Sequence, residues 1–360
     1  MAEKPNVVFI LSDQQRWDTL GCYGQELNVS PNIDEMAEDG VKFVQANTCQ
    51  PVCNPARSSI QTGKFPTETG CYRNDIALPK DEKTIAHWFS KAGYELGYMG
   101  KWHLASTMGP STEKIGPKHN YRTKPIPPDL RGGWEGRWIA ADLLEFTSHP
   151  FEGHLFNENM EKVTFQGYRV DALTDMALEY LSKRNDRDPF FLFLSFVEPH
   201  HQNDMNRYVG PKNSSERFSD FRPPGDLKGN GGDWKENYPD YLGCCASLDK
   251  NVGRIREKLK EMGLREDTLL IYTSDHGSHF RTRNKELSQR QNLEGYDDYK
   301  RSCHEASTRI PLVIEGPGFR GGEEVTELVS LIDLPPTLLR AANIEIPNYM
   351  QGDPLQGLTG

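Results

Sequence analysis

Long apolar segments are missing from this sequence of 360 residues. No stretch approaches the roughly 20 apolar residues that a membrane-spanning helix needs, so we predict no membrane association. Hydrophobic residues make up 36% of the chain and charged residues 26%, which is typical of globular proteins. The length suits one large domain or two smaller ones.

The first residues, MAEKPNVVFIL, lack the features of a secretory leader. A single lysine is followed by a strand-like apolar segment, without a long hydrophobic region or a small-residue cleavage site. We therefore expect no signal peptide and a cytoplasmic protein.

Cysteine pairs at metal-binding spacing are also absent. The odd number and irregular spacing of the cysteines argue against a disulfide framework and favour a reducing compartment. No CxxC pair occurs, which excludes the common structural zinc sites. The seven positions are Cys22, Cys49, Cys53, Cys71, Cys244, Cys245 and Cys303.

An excess of positive charge is missing as well, since the formal net charge is −10. A strongly acidic chain is a poor partner for nucleic acid, so we predict none. The overall charge does not decide the charge of an individual pocket.

What the sequence does contain is an alternation of strand and helix patterns. This alternation predicts an α/β fold with a large, mostly parallel central sheet and helices on both faces. The strand candidates are 6–12 (NVVFILS), 94–100, 189–200, 268–277 and 311–316. The helix candidates are 30–40, 84–93, 168–184 and 241–263.

Two irregular segments, 105–165 and 201–240, are rich in Gly, Pro, Asn and charge, and we interpret them as insertions. The first contains RGGWEGRW (131–138). Its aromatic and basic side chains could stack on a sugar and bind anions, or the loop could be packed by its own tryptophans.

Polar side chains follow the apolar strands, where ligands bind in open α/β sheets. Singly, such an aspartate is often a helix cap, and such a histidine a packed or exposed residue. Together they could bind a divalent cation and an anion, which is the equipment for hydrolysing a phosphate or sulfate ester. They are Asp13, Gln14, Lys101, His103, Glu198, His200, His201, Asp275 and His276.

The stretch CQPVCNPARSSIQTG (49–63) places Cys53 before Arg57. Cys53 could be a buried thiol, a metal ligand or a nucleophile. A tyrosine-phosphatase pattern would need an arginine at position 59, which is Ser59. That interpretation is therefore excluded.

CNPAR (53–57), followed by TGKFP (62–66), closely resembles the modification motif of the type I sulfatases. Further segments resemble other motifs of this family, in the same order along the chain. They are LSDQQRWDTLGCYG (11–24), GYMGKWHLA (97–105), TSDHG (273–277) and KRSCHEASTRIPLVIEGPG (300–318).

The resemblance implies an alkaline-phosphatase-like fold and hydrolysis of a small-molecule or carbohydrate sulfate ester. It also implies that a maturation enzyme oxidises Cys53 to formylglycine, an aldehyde that exists as its hydrate. One hydroxyl of the hydrate would attack the ester, and the second would then expel sulfate and regenerate the aldehyde.

By the same resemblance, Asp13, Gln14, Asp275 and His276 would hold one divalent metal. Calcium is expected, with Mn²⁺, Mg²⁺ and Zn²⁺ as alternatives, since the imidazole of His276 suits Mn²⁺ or Zn²⁺ better than calcium.

The remaining residues would act on the nucleophile or on the sulfate group. Arg57 and Lys101 would steady the hydrate, His103 would be the base, and His200 and Lys300 would bind sulfate. Asp275 would protonate the leaving oxygen. His201 is the alternative to His200, and Lys300 could instead be a solvated lysine in the charged run YDDYKR.

The sequence departs from the family pattern at Gln14 and His276, where many members have Asp and Asn. Choline sulfatases and phosphonate monoester hydrolases share these variants, so a phosphonate monoester hydrolase or phosphodiesterase is the alternative function. A non-catalytic protein that binds sulfated sugars is a third hypothesis.

The resemblance also bears on the domain organisation. We predict a catalytic domain over 1–345, with 346–360 beginning a C-terminal segment that is short or truncated, because family members usually continue into a small subdomain.

Overall fold

The structure is a computed structural model that describes residues 4–108, 118–184, 188–283 and 299–359. Its strands are β1 (Asn6–Asp13), β2 (Val41–Asn47), β3 (Glu95–Lys101), β4 (Arg137–Ala141), β5 (Ser148–His149), β6 (Glu152–Asn157), β7 (Lys162–Gln166), β8 (Phe190–Pro199), β9 (Thr268–Ser274), β10 (Leu312–Glu315) and β11 (Glu323–Ser330). Its helices are α1 (Pro31–Asp39), α2 (Cys53–Thr62), α3 (Pro66–Thr69), α4 (Ile85–Lys91), α5 (Arg169–Lys183), α6 (Ser214–Arg217), α7 (Trp234–Glu261), α8 (Glu305–Thr308) and α9 (Leu334–Ala341).

All the strands belong to one 11-stranded sheet in the order β11-β2-β10-β9-β1-β8-β3-β4-β6-β5, with β7 beside β6. The five central strands from β9 to β4 run parallel. Antiparallel pairs flank them, since β10 opposes β9 on one side and β6 opposes β4 on the other. The predicted α/β fold with a large central sheet is confirmed.

Strand β1 shows why the central strands are apolar along their whole length. Val7 and Phe9 point into one core with α2, α4 and α9. Val8 and Ile10 point into a second core with α1, α5 and α7. Because each face of the sheet is covered by helices, successive residues of the strand are both buried, and alternation with polar residues is lost.

The segment 105–165 contributes more to the sheet than its composition predicts, because β4 to β7 lie within it or begin in it. Trp134 and Trp138 are buried, and both pack on Tyr98, with ring centroids 5.2 and 5.1 Å apart. Of the two interpretations of loop 131–138, packing by its own tryptophans is correct.

The segment 201–240 covers a third, aromatic core that includes Tyr208, Tyr238 and Phe280. Helix α7 begins at Trp234, seven residues before the predicted start at 241, and contains Pro239 near its beginning. Pro239 is the sixth residue of the helix, so the hydrogen bond that a backbone N–H there would donate to the Lys235 carbonyl is missing. None of the described helices is both long enough and apolar enough to cross a membrane.

Candidate active site

The carboxyl ends of four neighbouring strands meet at one edge of the sheet. Asp13 ends β1, Lys101 ends β3, His200 follows β8 and Asp275 follows β9. The backbone N–H of Gln14 donates to Asp275 Oδ1 at 3.1 Å, and this hydrogen bond joins the segments that follow β1 and β9. The predicted convergence of strand-end residues is present.

Cys53 is the first residue of α2, and this helix start faces the same edge. Its Sγ lies 3.5 Å from Asp13 Oδ1 and 3.3 Å from His276 Nε2. Lys300 Nζ donates to Sγ at 3.2 Å. Three distant parts of the chain therefore surround the sulfur.

The environment of Cys53 does not produce a thiolate. Burial, and then the negative charge of Asp13, raise the pKa of the Cys53 thiol to about 12, although Lys101 and Lys300 oppose this. Since the thiolate is the reactive form of cysteine, the unmodified side chain is a poor nucleophile here at neutral pH.

Four buried side chains are grouped so that they could hold a metal ion. Ligand atoms of Asp13, Cys53, Asp275 and His276 all lie within 4.8 Å of one another. His276 Nε2 is 3.6 Å from Asp13 Oδ1 and 3.5 Å from Asp275 Oδ1. Carboxylate oxygens with one imidazole nitrogen suit a divalent cation.

The side-chain amide of Gln14 lies beside this group. Its Nε2 donates to the Tyr208 hydroxyl at 2.7 Å and lies 3.4 Å from Ser278 Oγ. Its Oε1 accepts from Lys300 Nζ at 3.4 Å. Hydroxyl groups thus hold the amide nitrogen, and the amide oxygen faces the ammonium group of Lys300.

Arg57 and Lys101 neutralise the two aspartates. Arg57 lies 3.1 Å from Asp13 Oδ2 and 3.2 Å from Asp275 Oδ2. Lys101 Nζ is 2.8 Å from Asp13 Oδ2. Burial alone would favour the protonated form of Asp13, but Lys101, His200 and Arg57 outweigh burial and hold its pKa well below the usual value.

His200 and Lys300 form a second pair, and Lys300 lies beside the sulfur. His200 Nε2 is 3.0 Å from Lys300 Nζ, and its Nδ1 is 2.6 Å from the carbonyl oxygen of His201. Burial, and then the charge of Lys300, lower the pKa of His200 to about 3. His201 instead packs on Tyr299, with ring centroids 4.5 Å apart.

Lys300 is completely buried, which excludes the interpretation of a solvated lysine. His103 is also buried, and its backbone N–H donates to the Asp142 carbonyl. No described residue makes a hydrogen bond with His103 Nδ1. Burial, and then Lys101, lower the pKa of His103 well below its ordinary value, so the imidazole is neutral and can accept a proton.

Two residues of the site were not predicted. Glu145 Oε1 accepts from Lys101 Nζ at 2.9 Å. Ser195 Oγ accepts from Arg57 at 2.7 Å and donates to the Lys101 carbonyl at 2.8 Å. Ser195 lies inside a buried strand and Glu145 in an irregular segment, so neither position carried a signal in the sequence.

Comparisons with known proteins fit this site. Residues 5–344 match the Sulfatase family model. The chain is 29% identical to an ulvan-active sulfatase of Formosa agariphila over 99% of its own length, and it spans 65% of that relative.

Two solved structures extend the comparison. A putative sulfatase from Bacteroides fragilis has a TM-score of 0.81 and 25% identity, with 99% of this chain and 78% of that chain covered. A phosphonate monoester hydrolase of Agrobacterium radiobacter shares the fold, with a TM-score of 0.71, 22% identity, and 99% and 77% covered. With the family model matching nearly the whole chain, this protein belongs to the sulfatase family.

Proposed function

We propose that the protein hydrolyses a sulfate ester, using an oxygen nucleophile that is formed when Cys53 is oxidised to formylglycine. The observation that carries this proposal is the position of Cys53 at the start of α2, with Asp13, His276 and Lys300 within 3.5 Å of its sulfur. A nucleophile at this point is next to the group that could hold a metal and next to a cationic side chain.

The protonated state of the thiol supports the need for oxidation. A thiol with a pKa near 12 supplies little thiolate at neutral pH. A thiolate that did attack sulfate would also form an adduct with no easy route of release. An aldehyde hydrate solves both problems because it offers two hydroxyl groups.

The proposed reaction has two steps. In the first, one hydroxyl of the hydrate passes its proton to Asp275, its oxygen bonds to sulfur as the ester S–O bond breaks, and Asp275 gives that proton to the leaving oxygen. In the second, His103 removes the proton of the other hydroxyl. The electron pair forms the aldehyde C=O and expels sulfate, and water then restores the hydrate.

The cationic side chains support binding of the sulfate group. Lys300 can donate hydrogen bonds to sulfate oxygens that develop charge. The neutral His200 donates its Nδ1 proton to the His201 carbonyl, so its Nε2 accepts from Lys300 and orients this lysine towards the sulfate group. Arg57 and Lys101 hold the aspartates and steady the hydrate. The name of the ulvan-active relative supports a sulfate ester as the substrate, and we propose a small-molecule or carbohydrate ester.

A divalent cation fits the donor set of Asp13, Gln14, Asp275 and His276. When bound, it supplies positive charge that lowers the pKa of a neighbouring hydroxyl group. Calcium is the proposed ion because three of the four donors are oxygens, and Mn²⁺, Mg²⁺ and Zn²⁺ are the competitors.

A phosphonate monoester is the alternative substrate, and the donors Gln14 and His276 favour it. They replace a carboxylate and an amide that many sulfatases use. Turnover of aryl sulfate and aryl phosphonate by the same matured preparation ranks the two functions, and a large preference for phosphonate would overturn the first.

Mass spectrometry of the peptide that contains residue 53 tests the proposal. After co-expression with a formylglycine-generating enzyme, we expect the aldehyde in place of the thiol, together with hydrolysis of 4-nitrophenyl sulfate. Protein expressed without that enzyme, and a Cys53→Ala variant, serve as controls and should be inactive. A preparation that keeps the thiol and is still active would contradict the proposal.

A further inference from the structure

Glu145 is an acidic side chain at the site that the proposed reaction does not use. It lies in a short 3₁₀ turn, Leu144–Phe146, that follows β4. Its side chain is 4% exposed. Oε1 accepts from Lys101, and Oε2 is buried without a hydrogen-bond partner among the described residues.

Lys101 therefore lies between two carboxylates, Asp13 at 2.8 Å and Glu145 at 2.9 Å. Burial disfavours a charged Glu145, but Lys101 and then His200 lower its pKa to about 2. The side chain is thus an anion at neutral pH. Taking a charge out of water is costly unless it is compensated, so a second carboxylate beside a lysine that is already paired calls for an explanation.

The position of Glu145 provides that explanation. Lys101 Nζ joins Glu145 to Asp13, and Asp13 Oδ1 lies 3.5 Å from Cys53 Sγ. The negative charge of Glu145 therefore lies one ion pair away from the position of the nucleophile.

This negative charge matters for the charge of the substrate. A sulfate monoester is a monoanion, whereas a phosphate monoester is largely a dianion near neutral pH. A fixed buried anion repels a dianion about twice as strongly as a monoanion, so Glu145 disfavours the phosphate ester.

We propose that Glu145 is a specificity-determining residue whose negative charge makes the site prefer monoanionic esters to dianionic ones. This inference rests on the proposed function, because it concerns the substrate of the same site.

The test is the variant Glu145→Gln in the matured enzyme. The amide oxygen can still accept from Lys101, so the shape of the site is kept while one charge is lost. The probes are 4-nitrophenyl sulfate and the monoester of phenylphosphonate as monoanions, and 4-nitrophenyl phosphate as the dianion.

We expect the ratio of kcat/KM for sulfate to that for phosphate to fall by about tenfold or more, the size expected for one charge several ångströms away at an effective dielectric constant of about 20. The ratio of sulfate to phosphonate should change little, because both esters carry one charge. Glu145→Asp keeps the charge and should keep the wild-type ratios. If Glu145→Gln does not fold, ratios in Glu145→Asp that differ from wild type would refute the proposal.

Glu315→Gln is the matched control. Glu315 is 10% exposed and paired with Arg256 and Arg265, but it lies towards the amino ends of the parallel strands. This variant loses the same charge from a buried ion pair and should keep the wild-type substrate ratios. Equal losses for all three substrates in Glu145→Gln would indicate a purely structural role and overturn the proposal.

A binding measurement separates this inference from the proposed function. In a Cys53→Ala background no turnover is needed, and calorimetry gives Kd for the aryl sulfate and the aryl phosphate. Adding Glu145→Gln should shift the ratio of the two Kd values towards phosphate by a similar factor. An unchanged ratio, or no binding of either ester, would refute the inference even if the matured wild type hydrolyses sulfate.

Discussion

Ion pairs gather at both ends of the parallel strands, and the two groups differ in burial. At the carboxyl ends, Asp13 and Lys101 are completely buried. At the amino ends, Arg256 and Arg265 both pair with Asp39, at 2.8 and 2.6 Å, and Asp39 is 46% exposed. The first group is cut off from water, whereas the second reaches water through Asp39.

The difference teaches which charges serve function. Partly exposed ion pairs cost little and contribute little, because water screens them. Fully buried charges are costly unless each is compensated, and such groups with shifted pKa values are typical of active sites. Asp13, His103 and His200 have such shifted pKa values at the carboxyl ends.

Removing one arginine from each end gives the largest expected contrast. Arg57→Ala leaves Asp13 and Asp275 without their guanidinium partner, and we expect a loss of about 3–5 kcal/mol in the free energy of unfolding. Arg265→Ala removes a partly exposed side chain, while Arg256 still pairs with both Asp39 and Glu315, so it should cost at most about 1 kcal/mol. Urea denaturation measures both. Equal losses would remove the distinction between the two ends.

Chelation tests whether the site at the carboxyl ends of the strands depends on a bound metal. Exhaustive dialysis of the matured enzyme against EDTA should lower the activity at least about tenfold and lower Tm, because an ion that binds only the folded state stabilises it. Calcium should restore both. Full activity after dialysis would contradict a metal at Asp13, Gln14, Asp275 and His276.

The smallest effect concerns pH. His200 has a pKa of about 3 in the folded protein, against about 6.5 when unfolded. Between these values the unfolded chain binds more protons, so this residue makes the protein less stable as the pH falls from about 6.5 towards 3.

The variant His200→Gln should therefore lose less in Tm between pH 7 and pH 5 than the wild type. His149→Gln is the control, because His149 is 62% exposed at the surface beside Asp204. Identical pH profiles for the wild type and both variants would contradict the assignment to His200.

The sequence predicted the central sheet well because strands buried on both faces are apolar throughout. It also predicted the polar strand ends, since the ends of neighbouring parallel strands must meet. Segment 105–165 was interpreted as an insertion because Gly and Pro punctuate it, and yet β4 to β7 extend the sheet through it. Composition does not reveal strands that are added at the edge of a sheet.

Glu145 illustrates the limit for the site. Its partner Lys101 lies 44 residues earlier in the chain, and no local pattern links the two. Only the parallel pairing of β3 with β4 brings the turn after β4 beside the end of β3. Contacts of this kind depend on the register of the sheet, which the sequence alone does not define.

Helix α2 is buried along its whole length, and Cys53 is 1% exposed. A separate enzyme that modifies this side chain must bind the backbone around it, and the backbone of a packed helix is not accessible. The proposed oxidation of Cys53 by a separate enzyme would therefore have to come before the chain closes around α2. Under that proposal, the order of oxidation and folding, rather than the affinity of the finished protein, limits how many molecules become active.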